Sequence, residues 1–129
     1  MPFANAIRAL IVDDQLTSRA LIRDGLQQLG IQDIEMATDG EEGLKVMMQK
    51  PAHLIISDLN MPKLDGIGFL QAVRAHPPTK ATAFIMLTGR GDRELIERAA
   101  KSGVNNYLVK PFTMPALKGA IEAVLGKLK

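Results

Sequence analysis

Leu54-Ile55-Ile56-Ser57, closing on Asp58, is the stretch whose reading decides the fold. An apolar run of this length without polar alternation suits a strand covered on both faces, as a parallel sheet requires. Before it, Glu41 to Lys50 carries Leu44, Met47 and Met48 at helical spacing and is ended by Pro51. After it, a loop with Pro62 and Gly66 leads to a helix bearing Ile67, Leu70 and Val73, halted by Pro77-Pro78. The same alternation extends both ways. Ala9-Leu10-Ile11-Val12 ends on Asp13-Asp14 and precedes a helix from Leu16 to Leu29, where Ile22, Leu26 and Leu29 recur at i, i+4, i+7 before Gly30. Ile34 to Ala37 is a weaker strand. Ala83-Phe84-Ile85-Met86-Leu87 closes on Thr88, and Asp92 to Ser102 is helical, capped by Gly103. Tyr107-Leu108-Val109 closes on Lys110-Pro111, and Leu117, Ile121, Val124 and Leu128 mark a last helix. Strand-then-helix units of this kind predict an α/β fold with a doubly wound, five-stranded parallel sheet and five helices.

With 129 residues the chain has room for one domain, spanning 1–129, and a second core would be too small to hold itself together. The absence of cysteine excludes disulfides, thiol nucleophiles and cysteine-ligated metals. A net charge of +2 is too small to steer nucleic acid, and one Tyr, four Phe and no Trp leave no stacking platform for single strands. No apolar run approaches the ~20 residues of a membrane helix, and no basic segment followed by an apolar block marks a signal peptide. The expectation is a cytoplasmic domain with no nucleic-acid or membrane partner, and a monomer. His53 and His76, without ligand spacing, read as surface residues, and the seven methionines read as core filling.

Strands of a parallel sheet all point one way, so residues that end them share one rim, where ligands bind in such folds. Here the strand ends carry Asp13-Asp14, Asp58, Thr88 and Lys110. Close carboxylates repel unless a cation joins them, and hard oxygen donors without nearby His or Cys favour Mg²⁺. The Lys and the hydroxyl suit the oxygens of a phosphoryl group, and an Asp carboxylate can itself be the nucleophile, giving an aspartyl-phosphate. Asp58, alone at the end of a central strand, is the candidate. Taken singly, Asp14 reads equally well as a helix N-cap, while Thr88 reads better as a turn or cap hydroxyl and Lys110 better as a solvated surface charge. Independent caps, however, have no reason to put acid, hydroxyl and Lys on one rim in that order.

These residues resemble the receiver domain of bacterial response regulators over nearly the whole chain. The likeness runs through Leu10-Ile11-Val12-Asp13-Asp14, Ser57-Asp58-Leu59-Asn60-Met61-Pro62, Leu64-Asp65-Gly66, Leu87-Thr88-Gly89 and Val109-Lys110-Pro111-Phe112, and is nearest to the stand-alone chemotaxis regulators. The resemblance implies the flavodoxin-like strand order 2-1-3-4-5. It implies Asp58 as the phosphorylated residue, Asp13 and Asp14 as Mg²⁺ ligands, and Asn60 as the position whose backbone carbonyl joins them. It further implies Thr88 as the switch hydroxyl, Lys110 as the charge-neutralising group, a cis bond to Pro111, and Tyr107 as the aromatic that turns inward on activation. A partner-binding face would include Ile96, Ala100, Tyr107 and Val109. Leu59 and Arg90 depart from the chemotaxis regulator's pattern, which has Trp and an acid there.

The function expected is therefore a two-component signalling switch that takes phosphate from a histidine kinase and then binds a downstream protein, a flagellar switch or another. On that reading it catalyses only its own phosphorylation and dephosphorylation. The alternatives are a Mg²⁺-dependent phosphohydrolase using the same aspartyl-phosphate, a phosphorelay intermediate or phosphate sink, and a receiver kept only for binding. Short loops and the lack of a substrate-sized insertion weigh against the hydrolase.

Overall fold

β1 (Arg8–Val12), β3 (Leu54–Asp58) and β4 (Ala83–Thr88) fill the middle of a sheet whose edges are β2 (Asp33–Ala37) and β5 (Asn106–Val109). The computed structural model, which describes residues 3–89 and 93–128, shows all pairings parallel in the order β2-β1-β3-β4-β5. The helices are α1 (Leu16–Gln28), α2 (Gly40–Gln49), α3 (Gly66–Ala75), α4 (Arg93–Lys101) and α5 (Met114–Leu125).

Alternation along the buried strands sorts the core into two layers. Ile11, Ile56, Ile85 and Leu87 meet Ile22 and Leu26 of α1 and Leu117 and Ile121 of α5. Leu10, Val12, Ile55, Phe84 and Met86 meet Met47 of α2, Phe69, Leu70 and Val73 of α3, and Ala99 of α4. The Phe69 and Phe84 rings lie 5.6 Å apart, tilted by 58°. Each fully buried aliphatic side chain contributes about 1.5–3 kcal/mol, so truncating Ile56 to Ala should cost about 2–5 kcal/mol.

Local chemistry sets the helix starts. The Asp39, Asp65 and Thr113 side chains accept from the amides of Glu42, Gly68 and Ala116, capping α2, α3 and α5. Gly66, the first residue of α3, has no room for a Cβ, which would run into the Asp58 carbonyl, the Met86 sulfur and the Leu59 Cα. That close approach seats α3 against the end of β3.

Some sequence expectations shift. β2 begins one residue early, at Asp33, and α5 stops at Leu125, where Gly126 turns the chain at φ 86°. Leu128 therefore packs on the core from outside the helix it was expected to continue. Asp92, the expected first residue of the fourth helix, lies outside the described residues, as does Arg90. The methionines are not uniformly core: Met47 and Met86 are buried, whereas Met36 lies exposed on an edge strand and Met48 sits one helical step round from Met47. His53 is exposed, and its ring nitrogen Nδ1 accepts the Arg8 amide at 2.9 Å, extending the β1–β3 edge.

The register decides where the chemistry sits. Val12 lies beside Ser57, Asp58 beside Leu87, and Thr88 beside Val109. The residues that follow or end these strands are thereby brought to one rim.

Candidate functional site

Asp13 leaves the end of β1 fully buried, and every oxygen it offers is engaged. Oδ1 accepts the Gln15 amide at 2.9 Å, Oδ2 accepts Lys110 Nζ at 2.9 Å, and the carbonyl accepts the Arg19 guanidinium at 2.7 Å. Asp14 points into solvent and caps nothing; Gln15 occupies the N-cap position of α1. Asp58 ends β3 with Oδ1 on the Leu59 amide at 2.8 Å and Oδ2 at 3.4 Å from Lys110 Nζ. Each of Asp13, Asp14 and Asp58 offers an oxygen within 4.8 Å of the others.

Burial pushes the Asp58 carboxyl above its usual range; the Lys110 ammonium opposes this, the Asp13 charge adds to it, and the Leu59 amide opposes it again. Burial is thus the larger cause, and the neighbouring Asp13 carboxylate adds to it. The site's donors are all hard oxygens, with no nitrogen or sulfur among them, and so fit a Mg²⁺ ion.

Thr88, at the end of β4, is 1% exposed, and its hydroxyl has no hydrogen-bond partner among the described residues. A buried hydroxyl is normally satisfied, so an unpartnered one is an exception among side chains of this kind. Its backbone carbonyl accepts the Lys110 amide at 2.7 Å, tying β4 to the residue that carries the ammonium. The Lys110–Pro111 bond is cis. Asn60 lies exposed one residue beyond Leu59, whose carbonyl accepts the Gly66 amide at 2.9 Å.

Tyr107 and Val109 project from the same side of β5 and are both exposed, so the Tyr107 ring stands outward in this conformation. Ile96, half-buried, and Ala100, exposed, lie one turn apart on α4. Three polar residues that the sequence reading passed over complete the rim: Gln15, Ser18 and Arg19, all at the start of α1. Their signal was available in the mostly polar stretch Gln15-Leu16-Thr17-Ser18-Arg19 directly after Asp13-Asp14, at a spacing that turns Ser18 and Arg19 back toward the strand end.

Residues 9–122 match the model of the response regulator receiver domain, and the chain belongs to that family. It is 60% identical over 129 residues, the whole of both chains, to a probable chemotaxis protein CheY of Rhizobium etli. Among solved structures it resembles the chemotaxis response regulator CheY4 of Vibrio cholerae, with a TM-score of 0.83 and 33% identity over 90% of this chain and 96% of that one. It also resembles the receiver domain of the sensor histidine kinase PA1611 of Pseudomonas aeruginosa, which holds a magnesium ion in its active-site cleft. There the TM-score is 0.83 and the identity 27%, over 93% of this chain and 98% of that one. Within its family the chain is thus a CheY-like receiver of two-component signalling. Among the described residues, no helix is long and apolar enough to cross a membrane.

Proposed function

We propose that residues 1–129 act as one receiver domain that accepts a phosphoryl group on Asp58 from a histidine kinase and passes the change to a protein partner. The observation that carries this reading is the Thr88 hydroxyl, buried and unpartnered on the rim that also holds Asp58 and Lys110. An Asp58 oxygen attacks the phosphorus of a phosphohistidine. The P–N bond breaks, its electron pair stays on the imidazole nitrogen, and Asp58 becomes an acyl phosphate. Lys110 Nζ, 3.4 Å from Asp58 Oδ2, is within reach of the transferred oxygens and neutralises their charge, while the Thr88 hydroxyl donates to another. Asp13, Asp14, Asp58 and the Asn60 carbonyl would hold Mg²⁺, which when bound neutralises the carboxylates and draws charge from the phosphoryl group.

The Thr88 movement toward the phosphate frees the space into which Tyr107 turns, changing the face formed by Ile96, Ala100, Tyr107 and Val109. The partner would be a flagellar switch or another protein, with this chain acting as a cytoplasmic monomer. It turns over no external substrate.

The test is labelling with acetyl phosphate, read by mass spectrometry. Modification of Asp58 alone, and only with Mg²⁺ present, supports the reading; phosphate on another residue, or labelling undiminished in Asp58→Ala, refutes it. Sustained hydrolysis of a small phosphomonoester that Asp58→Ala abolishes would establish the phosphohydrolase instead.

A further inference from the structure

The side chains of Asp13, Gln15, Ser18 and Lys110, together with the Gln15 backbone N–H, close a ring around the turn between β1 and α1. Asp13 Oδ1 accepts the Gln15 amide at 2.9 Å, and the Gln15 side-chain oxygen faces Ser18 Oγ at 3.4 Å. Ser18 Oγ faces Lys110 Nζ at 3.5 Å, and Lys110 Nζ returns to Asp13 Oδ2 at 2.9 Å. One hydroxyl can serve both neighbours, donating to Gln15 and accepting from Lys110. At 3.5 Å the contact with Lys110 is longer than an ordinary hydrogen bond and acts as a charge–dipole attraction. Arg19, the next residue, donates to the Asp13 carbonyl at 2.7 Å and fixes the first turn of α1 against the strand end. Ser18 therefore sits on a turn that Arg19 ties to the end of β1.

An ammonium beside carboxylates settles onto the nearest oxygens unless something else draws it. Here Asp13 Oδ2 anchors the Lys110 ammonium at 2.9 Å, and Asp58 Oδ2 at 3.4 Å and Ser18 Oγ at 3.5 Å stand about equally far from it and compete for its remaining protons. Asp58 Oδ1 is already taken by the Leu59 amide, so Oδ2 is the oxygen least engaged. On its outer side Lys110 borders a cleft of about 290 Å³ lined by Ser18, Leu21, Lys110, Pro111 and Phe112. Ser18 is the one other polar side chain in that lining, so nothing else there attracts the ammonium.

We propose that Ser18 is a positioning residue for Lys110, holding the ammonium toward α1 and clear of full pairing with Asp58. The Asp58 carboxylate then stays available to attack, and Lys110 stays placed to meet the incoming phosphoryl oxygens. This inference rests on the phosphoryl-acceptor reading given above. It assigns a role to a hydroxyl on the first turn of α1 that the acid, Thr and Lys set does not include.

The experiment compares the parent, Ser18→Ala, Ser18→Thr, Lys110→Ala and the Ser18→Ala/Lys110→Ala double variant. Labelling of Asp58 by acetyl phosphate at saturating Mg²⁺ should slow about three- to tenfold in Ser18→Ala, the range one modest polar contact supplies. Ser18→Thr, which keeps the hydroxyl, should restore the rate to within about twofold on the same scale. Calorimetry, independent of any turnover, should show Mg²⁺ binding about twofold or more weaker in Ser18→Ala, because an ammonium released onto the carboxylates competes with the cation. In the Lys110→Ala background, Ser18→Ala should change neither quantity further. The proposal is overturned by unchanged labelling and affinity in Ser18→Ala, by no rescue with Thr, or by equal losses with and without Lys110, which would mark a general structural role. If the parent itself is not labelled on Asp58, the acceptor reading falls; if it is labelled and Ser18 proves silent, only this inference does.

Discussion

Thr88→Val should make the resting protein more stable while removing its ability to switch. The hydroxyl is 1% exposed and unpartnered, so the resting fold carries the desolvation cost of a lost water hydrogen bond with nothing to offset it. That cost is about 1–3 kcal/mol, and Val places a methyl of nearly the same shape in the same β-branched position of a central strand. Allowing for imperfect packing of the methyl, the expected gain is about 1–2 kcal/mol. For a chain of 129 residues the unfolding entropy is about 0.27 kcal/mol/K, so the gain should raise Tm by about 4–7 °C. Urea unfolding and calorimetry of the metal-free protein measure it. The same variant cannot donate to a phosphoryl oxygen, so beryllium fluoride should still occupy Asp58 without moving Tyr107 in NMR spectra. Thr88→Ala should share that loss of switching, but it leaves a gap and forfeits the stability gain. A destabilised Thr88→Val, or a Tyr107 response equal to the parent's, would refute the reasoning that this hydroxyl waits unpaired for the phosphate.

Gly66→Ala should cost about 3 kcal/mol, because the added methyl meets the Asp58 carbonyl, Met86 and Leu59 together; an unchanged urea midpoint would show that α3 can shift to make room. The Arg74 guanidinium donates to the carbonyls of Gly103, Lys80 and Thr82 at 3.0, 3.0 and 2.7 Å and to Asn105 Oδ1 at 2.8 Å. Arg74→Lys cannot reach all four and should lose about 2–3 kcal/mol, a figure that urea unfolding checks and that full stability in the Lys variant would contradict. Without divalent cations, stability should fall as pH rises from the ordinary carboxylate range through the raised value of Asp58. The folded protein keeps that proton to higher pH than the unfolded chain does. Asp58→Asn should therefore be the more stable form at neutral pH and lose its advantage in acid, and parallel pH profiles for the two proteins would count against the assignment.

Much of the fold was legible because its signals are local. The apolar runs at Leu10, Ile55 and Phe84 read as strands covered on both faces, and the strand order follows the family that the rim motifs resemble. The weak pattern of Ile34 to Ala37 is the pattern of an edge strand, four of whose five residues are not buried. Where the reading slipped, the cause was equally physical. Leu128 keeps the spacing of α5 yet lies beyond it, because Gly126 at positive φ ends the helix while burial still rewards the leucine.

The sequence by itself determined which residues reach the rim: in a parallel sheet, the end of each strand is fixed by where its apolar run stops. Asp13, Asp14, Asp58, Thr88 and Lys110 follow from that rule alone. Only the tertiary structure decided what each does on arrival. Lys110 pairs more closely with Asp13, 97 residues away, than with Asp58. The Thr88 hydroxyl is left without a partner, Tyr107 stands outward, and a serine on α1 faces the lysine. Periodicity reports which face of its own element a residue occupies. Distances of 3 Å between side chains depend on how all the elements pack against one another, and no local pattern carries that information.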